Sequence, residues 1–441
     1  MSTEASTISP EAKLPTVSMK EVRKVAIASL LGTSLEFYDF LLYGFVATAF
    51  AVLFFPSSNP TAALMAVLAT FAVGYVARPV GAIVFGHLGD RWGRRNSFVT
   101  ALVLMALASL FTAFLPPYKS IGILAPLFLV SLRLLQGLSV GGELGPGITI
   151  IGEYAPKERR GFWILFTQIS QFLGPFLATI SVLILSLTMS HAGFIATGWR
   201  WLFGVGALIG VIGGISQYSI SDSPLFKKEK EQKVKERVPV IEYFAKYWRT
   251  LLKVIGFSIS ATVGVYLIGV FAIVYLEAVV KTSIVAATLI ISLGYVAGMI
   301  VSPFSGILGD KVGRRKVFIA ALIGELIFIY PYYRLLSTGT FALMVIAQII
   351  MVFIFAWAAV SLAILPELFP TRLRTTGVAL SYNINTAAFG GTTPYIATFL
   401  ILALHSVLAP IIWGVVAIVI SLLTMTFLIR ETRGIDLDNV K

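Results

Sequence analysis

The chain contains no cysteine and three histidines in 441 residues. Disulfides and thiolate metal sites are therefore excluded, and His87, His191 and His405 fall at helix ends or in loops, without forming a metal or catalytic cluster. It also lacks any G-x-x-x-x-G-K-[ST] phosphate loop, which leaves an ATP-driven pump without its phosphate cradle. Neither an enzyme nor a cofactor is expected. Charge is scarce too: 12% of residues are charged and 57% are apolar, against about a quarter charged in a soluble domain. The solvent of this chain is lipid.

What is present is a series of long apolar runs, each able to cross roughly 30 Å of hydrocarbon as a helix. Twelve are expected, near 24–55, 61–87, 96–116, 121–153, 160–188, 199–221, 251–279, 284–309, 316–336, 340–366, 375–404 and 407–430. The first follows a polar tail and has no small-residue cleavage site, so it is read as a span and not as a secretory signal. The fold class is thus all-α integral membrane, with twelve transmembrane helices in two six-helix bundles. The expected organisation is a tail at 1–23, a first bundle at 24–221, a linker at 222–250, a second bundle at 251–430 and a tail at 431–441.

The net charge of +13 is a matter of topology and does not point to nucleic acid. Lys119, Lys281 and Arg334 fall on one face, and Arg78, Arg133 and Arg200 lie inside spans or at their edges. All the other Lys and Arg residues of the 34 lie on the opposite face. The positive-inside rule makes that face, and both termini, cytoplasmic. The charged stretch from Ser221 to Pro239 is a cytoplasmic tether, and 240–249 has the aromatics to lie on the lipid surface with its rings inward.

The two halves repeat one another. Gly86-His87-Leu88-Gly89-Asp90-Arg91-Trp92-Gly93-Arg94-Arg95 returns as Gly306-Ile307-Leu308-Gly309-Asp310-Lys311-Val312-Gly313-Arg314-Arg315, and Glu153-x-x-Pro156-x-x-x-Arg160 returns as Glu367-x-x-Pro370-x-x-x-Arg374. Duplicated hydrophobic halves build many secondary transporters, with the ligand held at the midplane between them. Each loop supplies glycines for a tight turn, an acid suited to a helix N-terminus and paired arginines. Two cytoplasmic latches follow as an expectation: Asp90 with Arg94 or Arg95 against Glu153, and Asp310 with Arg314 or Arg315 against Glu367.

Charges inside the spans carry the functional signal. Glu36 and Asp39 lie three residues apart on the first span, on a face that Phe40 and Tyr43 extend. Two carboxylates in oil invite protonation, so this pair is the candidate for proton coupling. Arg133, with Gln136 three residues on, is the opposite charge expected to meet one of these acids or the substrate. Arg78, before Pro79, faces the cavity or snorkels to the cytoplasmic side. Glu143 and Glu325 are further buried acids without an evident partner. The second half offers neutral groups, Tyr266, Tyr275, Gln348, Trp357, Tyr382, Asn383 and Asn385, of which Tyr382, Asn383 and Trp357 complete the candidate substrate contacts. The spacing Gly137-x-x-x-Gly141-x-x-x-Gly145 predicts close packing of the fourth span.

The repeated decapeptide resembles the loop signature of the major facilitator superfamily. Within it, Gly32 to Phe40, Arg78-Pro79-Val80-Gly81, Arg133 to Glu143, Leu380 to Ile384 and Phe389-Gly390-Gly391-Thr392 are similar to the metabolite:proton symporter family, with Thr33 and Phe37 where relatives often carry Asn and Trp. Members carry alpha-ketoglutarate, citrate, shikimate, and proline or betaine. The resemblance implies proton symport of a small organic acid or zwitterion across the cytoplasmic membrane, by rocking of two bundles around a central cavity. The expected partners are a small-molecule substrate, protons and the lipid bilayer, with the chain working as a monomer. A proton-coupled or passive carrier of a neutral solute such as a sugar is the alternative.

Overall fold

The computed structural model describes residues 19–92, 94–141, 151, 157–218, 243–244, 246–370 and 374–435. In hydrocarbon every backbone N–H and C=O must be satisfied within the protein, and helices do this segment by segment. The described residues form a series of long helices, nine of them, or ten counting the bent first helix as one span, long and apolar enough to cross a membrane by themselves. α1 (Met19–Phe45) continues past a 58° bend as Ala47–Phe54. α2 (Pro60–Trp92), α3 (Arg94–Phe114), α4 (Leu124–Gly141), α5 (Arg160–Thr188) and α6 (Trp199–Tyr218) complete the N half. The C half holds α7 (Trp248–Val279), α8 (Ile284–Val312), α9 (Arg314–Leu336), α10 (Phe341–Leu368), α11 (Arg374–Leu404) and α12 (Pro410–Phe427).

The internal duplication reappears as packing. α2 lies on α4, α3 on α6 and α1 on α5; in the C half α8 lies on α10, α9 on α12 and α7 on both α11 and α12. Small residues allow the tightest of these approaches. A Cβ at Gly137 would strike the Gly74 carbonyl, one at Gly141 the Arg78 carbonyl, and one at Gly81 the Leu138 carbonyl, so α2 and α4 touch backbone to backbone. The predicted glycine spacing therefore performs its packing role at Gly137 and Gly141, while Gly145 lies outside the described residues. Large apolar side chains such as Phe114, Ile327 and Phe427 point outward, where lipid is their solvent.

The halves meet along α5 against α8, α2 against α11 and α1 against α7. The seam is joined at both ends and in the middle. Thr48 Oγ1 donates to Glu277 Oε2 at 2.5 Å on the extracytoplasmic side. Ser292 Oγ donates to Thr179 Oγ1 at 2.8 Å, and Asn383 Nδ2 to the Gly141 carbonyl at 3.0 Å. Between them lies a cavity of about 40 Å³, lined by Gln171 and Phe172 of the N half and Tyr266, Tyr382 and Thr386 of the C half. A bound water needs roughly 10–15 Å³ of such space, so this cavity has room for only a few waters.

The segment before α7 differs from its predicted place flat on lipid. Tyr243 is fully buried, its hydroxyl 2.6 Å from Ser381 Oγ and its ring against Phe369, while Phe244 and Trp248 are exposed. A tyrosine carries a polar tip that lipid cannot satisfy, and docking on α11 provides the partner. Burial pushes this phenol up to about 12.

Candidate substrate and proton site

Glu36 and Asp39 leave α1 toward different neighbours, so the expected pair of repelling carboxylates resolves into two separate sites. Glu36 Oε1 meets Arg78 Nη2 of α2 at 3.3 Å, with both side chains buried. The Arg78 guanidinium also lies 5.4 Å from the Phe40 ring centroid and 5.3 Å from that of Tyr75. Tyr75 in turn meets Tyr266 of the C half edge to face at 5.1 Å. Arg78 therefore faces the centre and does not snorkel.

Asp39 turns into the N half. Its Oδ2 accepts from Ser109 Oγ on α3 and from Gln136 Nε2 on α4 at 3.0 Å, and Gln136 Nε2 also reaches Ser109 Oγ at 2.8 Å. Gly206 of α6 closes the far side, where a Cβ would collide with Asp39 Oδ1. Arg133 sits beside this group with its guanidinium 4.4 Å from the Tyr43 ring centroid and 5.5 Å from that of Phe203. None of its three nitrogens has a hydrogen-bond partner among the described residues, and neither has Asp39 Oδ1. Aromatic faces stabilise a buried guanidinium by about 0.5–2 kcal/mol each, which is less than a carboxylate partner would supply.

Arg133, Gln136 and Tyr43, expected among the substrate contacts, thus gather with Asp39 inside the N half. Tyr43 O–H donates to the Val67 carbonyl at 3.2 Å. Tyr382 does line the central cavity, whereas Asn383 ties α11 to α4 through Gly141. Trp357 is placed elsewhere: its ring packs on the exposed Phe353, while Phe355 and Ala359 of the same helix line the cavity. Two residues along a helix rotate a side chain by about 200°, so Phe355 and Trp357 cannot share a face. Glu325 lies within the C half, accepting from Ser260 Oγ at 3.0 Å.

At the cytoplasmic end, Arg314 pairs with Glu367, as the repeat predicted, and reaches Asp310 Oδ1 at 3.2 Å. Arg315 is the correction, since its guanidinium binds the Met425 and Thr426 carbonyls at the end of α12 and so satisfies helix C-terminal acceptors. Asp310 caps the first turn of α5 in the other half, accepting from the Gly161 and Phe162 amides at 3.0 Å each. Arg160 crosses the same seam to Glu367 at 3.4 Å and to the Ile435 carbonyl at 3.1 Å. Its place in the second repeated motif was the signal that could have marked it. In the first copy of the latch, the side chains of Asp90, Arg94 and Arg95, together with Glu153, lie outside the described residues, as does Glu143.

The family model described as sugar (and other) transporter matches residues 24–441. The chain belongs to this transporter family. A proline/betaine transporter of Escherichia coli K12 is 31% identical to it over 417 residues, covering 92% of this chain and 83% of that protein. The inner membrane metabolite transport protein YhjE of the same strain is 34% identical over 419 residues, covering 91% and 92%. A glycine betaine/proline/ectoine/pipecolic acid transporter of Dickeya dadantii is 30% identical over 426 residues, covering 94% and 84%. Among solved structures, the proton:xylose symporter XylE of the major facilitator superfamily superposes with a TM-score of 0.74 at 18% identity, over 96% of this chain and 98% of that one. That likeness establishes the fold. This transporter is a multi-pass membrane protein of the major facilitator fold, a secondary carrier of a small molecule and not an enzyme.

Proposed function

We propose that this transporter imports a small organic acid or zwitterion by proton symport, with alternating access between the two faces. The observation that carries the reading is that one bundle buries both a carboxylate, Asp39, held by Ser109 and Gln136, and a guanidinium, Arg133, that lies over the Tyr43 ring with no hydrogen-bond partner among the described residues. Protonated, Asp39 is a neutral acid that Ser109 and Gln136 hold. Ionised, it is drawn to the unsatisfied Arg133, since a buried charge without a partner costs several kcal/mol (order of magnitude). Proton uptake therefore selects between two arrangements of α1, α3 and α4, the bistable element that coupling requires.

The substrate site in this reading is the seam around Arg78. A planar guanidinium binds a carboxylate bidentately, and the faces of Phe40, Tyr75 and Tyr266 suit an ammonium group. Both ends of a zwitterion would thus find their counterparts, in keeping with the proline and betaine carriers among the relatives. A substrate carboxylate would compete with Glu36 for Arg78. Inward opening must then part Asp310 from the α5 amides and Arg160 from Glu367.

A pH jump on reconstituted protein tests the whole reading. Uptake of proline, glycine betaine or alpha-ketoglutarate into proteoliposomes is expected to rise under an inward proton gradient and to alkalinise the outer medium. Transport of a solute with no accompanying proton movement would overturn symport, and uptake of sugars alone would select the neutral-solute alternative.

A further inference from the structure

A cavity roomier than the central one lies elsewhere on the seam. A space of about 480 Å³ opens at the extracytoplasmic end of the seam, within the range of roughly 300–1,000 Å³ that small-molecule sites occupy. It is bounded by Thr48 after the bend in α1, Ser186 near the end of α5, His191 and Phe194 in the turn before α6, Glu277 in the last turns of α7, and Ser283 at the start of α8. Both halves contribute walls.

Its polar groups are unequally satisfied. Ser283 Oγ is occupied, accepting from the Ala286 amide at 3.2 Å to cap α8. Glu277 uses only one of its carboxylate oxygens: Oε2 accepts from Thr48 across the seam, while Oε1 is buried with no hydrogen-bond partner among the described residues. The Ser186 hydroxyl is buried and unpartnered in the same way. Among the described residues no basic side chain forms a salt bridge with Glu277. A carboxylate oxygen without a donor, in a cavity of ligand size, is a counter-ion awaiting a cation.

We infer that this outer cavity is a binding site for a small organic ammonium group, with Glu277 as its counter-ion. The inference deepens the zwitterion reading of the preceding section and rests on it for the identity of the natural ligand. A quaternary or substituted ammonium needs no acceptor geometry, only negative charge and an apolar wall, and Glu277 and Phe194 supply both. Because the same carboxylate holds Thr48, an arriving ammonium competes with a hydrogen bond that joins the halves at their outer end. Occupation of the cavity loosens the outer seam just where the solute must pass.

The test uses tetramethylammonium on the full-length protein in nanodiscs, read by saturation-transfer NMR, which involves no transport. Wild type is expected to give saturable binding. Glu277→Gln weakens it at least tenfold, Glu277→Asp retains most of it, and Thr48→Val, which releases the carboxylate, tightens it severalfold. Equal binding by wild type and Glu277→Gln, or no saturable binding by wild type, overturns the inference. So does binding that is lost in Tyr75→Ala and kept in Glu277→Gln, because the ammonium would then sit at the centre. A carrier that moves only anions or sugars, yet binds tetramethylammonium through Glu277, would sink the zwitterion reading and leave this site standing.

Discussion

The two halves share one architecture and divide the chemistry between them. In the membrane interior of the N half, Glu36, Asp39, Arg78 and Arg133 are all buried. In the corresponding depth of the C half the polar groups are mostly neutral. Gln348 donates to the Ile268 carbonyl at 3.0 Å and accepts from Tyr332 at 2.8 Å, and Asn385 donates to Ser258 and Thr262. Glu325, held by Ser260, is an acid at that depth among the described residues, while Glu277 and Glu367 lie toward the two ends of the C half. The contrast teaches what duplication leaves open: packing constrains both copies alike, but each copy is free to place its buried charges at a different depth. On the proposed reading, one bundle would hold the titratable switch, and the other would offer it a hydrogen-bonded wall across the seam.

The comparison can be broken most decisively at Asp39. Asp39→Asn keeps the shape and the hydrogen bonds to Ser109 and Gln136 but removes the proton site. Proton-driven accumulation in proteoliposomes is expected to fall to the equilibrium level while counterflow of substrate persists. Undiminished accumulation would take the switch out of the N half. A smaller effect is expected at the seam, where Arg78→Lys replaces a planar fork with a point charge beside Glu36. The lost charge-assisted hydrogen bonds, about 1.5–3 kcal/mol, raise the KM for a carboxylate substrate by roughly 10- to 100-fold. An unchanged KM in initial-rate uptake would assign Arg78 to the folding of the N half alone. The smallest effect belongs to Glu325→Gln, which exchanges one neutral hydrogen-bonding group for another if this acid stays protonated throughout transport. Accumulation within about twofold of wild type sharpens the contrast, and its collapse would place a second titrating site in the C half.

Much of this molecule was legible before folding was considered. The spans, the doubling and the latch between Arg314 and Glu367 could be read because hydrophobicity, charge bias and motif repetition are properties of short stretches. Glu36, Asp39, Arg78 and Arg133 stood out because charge in an apolar run is costly wherever the run goes. The partner of each was not legible. Arg160 across the seam, Ser109 beside Asp39 and the Thr48–Glu277 contact join residues far apart in the chain, and a serine or threonine in a span announces nothing by itself. The surroundings of Trp357, whose ring packs on Phe353 and does not line the central cavity, were not legible because they depend on a helix phase that only its neighbours fix.

The sequence alone decided that this chain lives in lipid as two homologous bundles, since the free energy of placing a segment in hydrocarbon adds up residue by residue along it. Only the tertiary structure decided which acid meets which arginine. Side chains three apart on a helix diverge by about 60°, and that angle is enough for Glu36 to face α2 at the seam while Asp39 faces α3 and α4 within the bundle.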